Sequence, residues 1–254
     1  MPTTSTLFLP LLLLGLAVAD TDDTLPPYVK QCRANDPKLD QCVIEAVVHL
    51  KPYLAEGIAE IAMPSVEPFR TDELALSLSS GPNGYKIVLR DLEIYGASNF
   101  TVNSLKLGTQ KRPFEATLRI PQLRIAARYT SSGVLIILPA SGNGNFAANF
   151  RDVTARVKGL GVRERGLQGE EHEEYLQIHD LDVALEIQKV DMSVRKFFNN
   201  NRILTEATNL FLRENGAEVL RHMMPQLRRK ISSLFSDVAN QLLANVPLRI
   251  FLSQ

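Results

Sequence analysis

ILTEATNLFLRENGAEVLRHMMPQLRRKISSLFSDVANQLLA, residues 203–244, decides how this chain folds. Leu204, Ala207, Phe211, Leu220, Met224, Leu227, Ile231, Leu234, Val238 and Leu242 fall on one face of a helix, and Leu210, Met223 and Phe235 widen it. A continuous helix over Ile203–Ala244 would be ~60 Å long at about 1.5 Å per residue. Pro225 is predicted to kink it near the middle. A domain of this size cannot carry so long a helix as one outer layer. The helix must be wrapped or spanned by another element with its own apolar face.

The chain upstream supplies that element. From Leu74 the apolar period changes to two: Leu74, Leu76 and Leu78 alternate with small polar residues, and Ser80-Gly81-Pro82-Asn83-Gly84 makes a turn. Tyr85, Ile87 and Leu89 follow in one phase and Leu92 and Ile94 in the other, which predicts a bulge near Asp91. Further alternating runs cover Phe114–Ile120, Leu123–Tyr129, Val134–Leu138, Phe146–Val157, Tyr175–Ile178 and Leu181–Ile187. Together they read as a long antiparallel meander with one apolar face. Arg163–Glu174, rich in charge and glycine, reads as an exposed hairpin loop or ragged edge.

Ahead of the meander, Val43, Val47, Leu50, Leu54, Ile58 and Ile61 again keep helical spacing. Pro52 predicts a kink or a fresh start there, and Pro64 and Pro68 end the helical stretch. Before this helix lie the chain's two cysteines, in Tyr28-Val29-Lys30-Gln31-Cys32 and Asp36-Pro37-Lys38-Leu39-Asp40-Gln41-Cys42. Leu7–Leu16 and Ala17-Val18-Ala19 read as a secretory signal peptide, leaving 20–254 as one soluble, secreted domain. In an exported chain a Cys32–Cys42 bridge outweighs a metal site, since zinc wants four ligands and only His49 lies near. Closing so short a loop contributes about 2–3 kcal/mol.

Lys+Arg and Asp+Glu are both 28, which argues against nucleic acid as a main partner. A hydrophobic content of 45% belongs to a globular chain. Asn99-Phe100-Thr101 is the single glycosylation sequon.

Several spaced motifs occur together. Tyr28-Val29-Lys30-x-Cys32, Asp36-Pro37-x-Leu39 and Cys42 open the series, and Pro64-Ser65-x-Glu67-Pro68 follows. Then come Tyr129-x-x-x-Gly133-x-Leu135-x-x-Leu138-Pro139-x-x-Gly142-x-Gly144 and Phe198-Asn199-Asn200-Asn201-Arg202-x-Leu204. In this order, over Leu25 to Pro247, the chain resembles the insect takeout / juvenile hormone-binding protein family. The resemblance implies an α+β fold in which a strongly curved antiparallel β-sheet wraps a long C-terminal helix and encloses an apolar cavity, as in lipid-binding modules of the bactericidal/permeability-increasing type. It implies a carrier of small apolar ligands (juvenile hormones, other terpenoids, fatty acids). Feeding, circadian output, olfaction and hormone transport all accord with it. Gly216 stands where that family often has Trp, and Phe197-Phe198-Asn199-Asn200-Asn201 lacks its usual Gly; both fall near the start of the long helix, where the pocket mouth is expected.

On that reading the ligand-facing candidates are Ile87, Leu89, Leu118, Ile120, Ile125, Tyr129, Ile136 and Leu138 on the sheet, with Leu210, Met223, Met224, Leu227 and Phe235 on the helix. From periodicity alone the helix seam is more often packed core, and Tyr129 more often a structural hydroxyl than a ligand contact. Gly142-Asn143-Gly144-Asn145 lacks the Lys and Ser/Thr of a phosphate loop and reads as a turn. There is no Gly-x-Ser-x-Gly elbow, and His49, His172, His179 and His222 have no metal spacing. The chain reads as a non-enzyme without cofactor or metal, expected to be a monomer. Arg228-Arg229-Lys230 and Lys111, Arg112, Arg119, Arg124 and Arg128 ordinarily form solvated faces. The functional reading of them is transient contact with an anionic membrane or a receptor, and the alternative function is a surface-acting protein with a packed interior.

Overall fold

The computed structural model describes residues 25–78, 84–109, 112–135, 138–139, 141–165, 173–195 and 202–254. The signal-peptide reading, most of the expected 163–174 loop and the 197–201 motif lie outside them. A short strand β1 (Cys32–Arg33) leads into helix α1 (Leu39–Glu56), which runs through Pro52 as one helix. Then follow β2 (Phe69–Leu78), β3 (Tyr85–Tyr95), β4 (Thr101–Lys106), β5 (Phe114–Ser132), β6 (Val134–Leu135), β7 (Leu138–Pro139), β8 (Gly142–Arg165) and β9 (Glu174–Arg195). Helix α2 (Arg202–Ala244) is next, 43 residues or about 64 Å long. Helix α3 (Leu248–Phe251) and β10 (Leu252–Ser253) finish the chain, with β10 parallel to β1. The fold is a curled antiparallel half-barrel sheet against a long C-terminal helix, of the α+β class.

The sheet order is β2-β3-β5-β8-β9, with β4 also on β5. β3 pairs with Arg124–Ser132 and β4 with Glu115–Arg119, so the two lie end to end along one edge of β5. Gly96 makes the step between them: its φ of 91° is left-handed, and a Cβ there would sit 2.3 Å from the Gln122 carbonyl oxygen. Glu67 holds this junction from outside. Its carboxylate accepts from the Gly96 amide at 2.5 Å and from the Ser98 hydroxyl at 2.9 Å. Ser65, two residues earlier, donates to Ala55 O at the end of α1. The Pro64-Ser65-x-Glu67-Pro68 motif is therefore a tie between α1, β2 and the β3–β4 step.

Strands as long as β8, at 24 residues, must bend to stay on one small core. The expected bulge at Asp91 is present, where Asp91 and Leu92 oppose Ala127. A second occurs where Asp180 and Leu181 oppose Gly159. Both aspartates, and Asp152, have φ near 50°, a conformation that short polar side chains tolerate better than most. At Asp152 the register is kept, with Ile120 opposite Val153 and Gln122 opposite Arg151, while the buried face slips by one residue. Pro121, which lacks a donor, faces Asp152 at this crease. The crease explains why the runs Phe114–Ile120 and Leu123–Tyr129, expected as two strands, are one strand bent at Pro121.

β2 and β9 end the main strand order, and side chains of α2 bond backbone groups on both. Asn209 accepts from the Val194 amide at 2.8 Å and donates to its carbonyl at 3.0 Å. Asn240 does the same to Ile178, at 2.8 and 2.9 Å. The Ser232 hydroxyl accepts from Val183 N at 2.8 Å. On the other edge Gln226 accepts from Ser77 N at 2.8 Å and donates to Ser77 O. A side-chain amide carries one donor and one acceptor side by side, so it stands in for the next strand's backbone.

Two apolar clusters result. The larger joins the inner sheet face to Leu212, Val219 and Leu220 of α2, around the fully buried Val153. The smaller joins Tyr28, Val29, Ile58, Ile61, Met63 and Val246, with Leu50 and Tyr53 of α1 and Val238 and Leu242 of α2 against it. Cys32 and Cys42 are bridged beside it, as expected. Replacing Asn209 by Leu strips both Val194 backbone groups of their partner, and urea unfolding should show a loss of about 2–6 kcal/mol, at about 1–3 kcal/mol per group stranded. A change under about 0.5 kcal/mol would mean that water solvates this edge.

Candidate functional site

Between the concave sheet face and α2 lies a cavity of about 170 Å³. β2 and β3 contribute Leu74, Leu76, Tyr85, Ile87 and Leu89, and beyond the bulge Leu92 and Ile94 take over the inward face. β5 adds Leu123, Ile125, Tyr129 and Ser131; β8 adds Phe146 and Phe150. Leu185, Ile187, Met192 and Val194 come from β9. Helix α2 covers the space with Thr208, Leu212, Val219 and Leu220, then Met223, Met224 and Leu227, then Ile231 and Leu234. Lys230 is the one charged side chain in the lining among the described residues.

The polar groups inside are neutral hydroxyls. Burial pushes the Tyr85 phenol up to about 12, against a hydrogen bond with Ser131 that lowers it. Burial raises the Tyr129 phenol as well, with the neighbouring Tyr85 adding to it. Both hydroxyls therefore keep their protons at neutral pH. The interior offers apolar contact and uncharged hydrogen-bonding groups, and one ammonium where Lys230 meets solvent. Among the described residues no three His, Cys, Asp or Glu side chains gather as a metal site. No described helix is long and apolar enough to cross a membrane.

Of the candidate residues, Ile87, Leu89, Ile125 and Tyr129 line the cavity from the sheet, and Met223, Met224 and Leu227 line it from the helix. Ile120 is buried in the core at the crease, off the lining, and Leu118 lies further along β5, half-buried. Ile136 and the side chain of Leu138 lie outside the described residues. Leu210 and Phe235 were expected on the inward seam and face solvent instead, 51% and 53% exposed. The buried face at the start of α2 runs through Thr208, Leu212, Gly216, Val219 and Leu220. Its polar and glycine members hide it from a search for apolar residues. Gly216 is buried against β9, where a Cβ would meet Met192 Cε at 3.3 Å. Alternation in Phe146–Phe150 and Val190–Val194 marks inward faces, but which helix face they meet is a tertiary fact.

The basic strand residues are largely matched across the outer face. Arg119 pairs with Asp152 at 3.0 Å and Arg128 with Asp91, while Arg228 of α2 pairs with Asp182 of β9 at 2.6 Å. Arg124 lies over the Tyr95 ring. Asn99 is exposed at the β3–β4 step.

The model of the family described as "Haemolymph juvenile hormone binding protein (JHBP)" matches residues 11–253. The chain belongs to this family. Within it the chain is 24% identical, over 90% of its length and 88% of the relative's, to "Circadian clock-controlled protein daywake" of Drosophila melanogaster. It is 21% identical to "Putative beta-carotene-binding protein" of Schistocerca gregaria, covering 86% of this chain and 85% of that one. The fold is that of Takeout 1 of Epiphyas postvittana, with a TM-score of 0.76 at 18% identity over 89% of this chain and 100% of that one.

The juvenile hormone binding protein fold thus encloses, in this member, an interior whose phenols are pushed further from ionisation by burial. A phenol whose pKa is raised in the folded state stabilises the fold fully below its unfolded value, about 10, and ceases to do so as pH climbs to about 12. Unfolding free energy should fall across that window by about 2–3 kcal/mol from Tyr85. Urea titrations from neutral to alkaline pH would detect it, and Tyr85→Phe should remove that part of the slope. An unchanged slope in the variant would mean that Tyr85 is solvated.

Proposed function

We propose that this chain is a secreted carrier, not an enzyme, that holds one elongated apolar molecule between α2 and the curved sheet. The cavity carries this reading: a largely apolar interior, with Lys230 the one charged side chain of its lining among the described residues, covered by a helix over a concave sheet, in a member of the juvenile hormone binding protein family. The cargo is a terpenoid such as a juvenile hormone, or a fatty acid. The name of the Schistocerca gregaria relative points to the same broad class. Cargo would be driven in by burial of apolar surface, roughly 25 cal/mol per Å² before the costs of ordering it.

At about 170 Å³ the cavity is below the roughly 300–1,000 Å³ of a pocket for a drug-sized ligand. Loading therefore requires side chains to move. Met192, Met223 and Met224 are suited to it, since unbranched thioethers repack at little cost. The disulfide and the signal-peptide reading support export, and the exposed Asn99 would then carry a glycan. We read residues 20–254 as one domain working as a monomer.

Displacement of an environment-sensitive fatty-acid probe by terpenoids, fatty acids and sterols tests the carrier reading, and the absence of Trp keeps the background low. Saturable one-site uptake is expected, with Met224→Trp lowering affinity about tenfold or more by filling the cavity. Folded, delipidated protein that takes up no probe would sink it and move the function to the surface.

A further inference from the structure

The two seams between α2 and the sheet are closed unequally. Toward β9 the helix is held by Asn209, Ser232 and Asn240 and by the Arg228–Asp182 ion pair. Toward β2 it is held by Gln226 on Ser77. The next tie on that side is Gln241, which donates to the Ala62 carbonyl at 2.8 Å, before β2 begins. From residue 226 to 241 is about 22 Å along the axis, and among the described residues no hydrogen bond joins α2 to β2 beyond Gln226 in that interval. Phe69 and Leu74 of β2, and Ile231 and Leu234 of α2, border the cavity there.

Lys230 stands in this gap. It follows Gln226 by one helical turn, so both share the face turned toward β2. Its side chain lines the cavity and is also exposed. Among the described residues it has no hydrogen-bonding or ion-pair partner; Arg202, Arg221 and Arg228 of the same helix are paired, and Arg213 and Arg229, which are not, do not line the cavity. The nearby strand acids are committed to the outer face: Glu73 pairs with Arg90, and Asp72 lines the outer groove with Arg70 and Asp91.

We propose that this gap is the mouth of the cavity and that the Lys230 ammonium binds the carboxylate of a long-chain carboxylic acid whose tail lies inside. The inference rests on the carrier reading and narrows its cargo. An ammonium at a rim suits such a ligand on physical grounds. The charged head stays in contact with water, so no ion is buried without a partner, while the tail fills an interior with no other charge. One ammonium offers charge-assisted hydrogen bonds to one carboxylate. A neutral ester of the same length would gain the tail contacts alone.

Lauric acid and methyl laurate, titrated separately into the delipidated full chain, form the test. Laurate should bind about fivefold tighter than its ester, the upper size of one exposed ion pair. Lys230→Met should weaken laurate to the level of the ester and leave the ester unchanged, while Lys230→Arg keeps the preference. Higher salt should narrow the gap between the two ligands. Equal binding in the wild type, or a preference that survives Lys230→Met, overturns the carboxylate inference and leaves the carrier reading intact. Failure of both ligands to bind a folded protein overturns the carrier reading, and this inference with it.

Discussion

A curved sheet with a helix laid along its concave face has two edges that water reaches poorly, and every N–H and C=O on them needs a partner. Here the partners are amide side chains. Asn209 and Asn240 bond β9 at Val194 and Ile178 and Gln226 bonds β2 at Ser77, each using donor and acceptor on one backbone residue. These contacts set the height and rotation of α2 above the sheet as well as closing the edges. Near Gly216 the helix settles directly on Met192 and Val190. Further along, Met223, Met224 and Leu227 line the cavity from the helix, as Thr208 and Leu212 do before it.

Curvature is the other half of that constraint. An antiparallel strand of 24 residues would reach about 80 Å if straight, far beyond the core it serves. The chain bends it with aspartates in left-handed conformations at residues 91, 152 and 180, and with Pro121 opposite the second. Each bend slips the buried face by one residue, so Ile87 and Leu89 hand over to Leu92 and Ile94 on the same side of the sheet. Arg128 and Arg119 of β5 pair with two of these aspartates, Asp91 and Asp152.

Periodicity made the frame legible. The helix expected over Ile203–Ala244 is found at Arg202–Ala244, and the phase change at Leu89/Leu92 located its bulge. The same kind of phase change at Ile120/Leu123 read as a break between strands, because without a partner strand a crease and a turn look alike. The error at Leu210 and Phe235 has a different cause. At its start, the face of α2 that meets the sheet carries Thr208, Asn209 and Gly216, which score as solvated or neutral in any apolar pattern. Asn209 is inward because it bonds the β9 edge, and that edge exists only once the sheet has formed. The lining from β8 and β9 was out of reach for the same reason.

The second apolar cluster bears on how anything enters. Tyr28, Ile58, Ile61 and Met63 close around Val238, Leu242 and Val246, with the Cys32–Cys42 bridge and the β1–β10 pair holding the two chain ends beside them. The C-terminal third of α2 is thus fastened by contacts that do not involve the cavity. Releasing the helix as a whole would mean exposing this cluster together with both edge supports. Swinging a few methionines and parting the lightly tied β2 side exposes far less apolar surface. A ligand that reaches the interior of a fold built this way passes along that side, and the helix stays where its amides hold it.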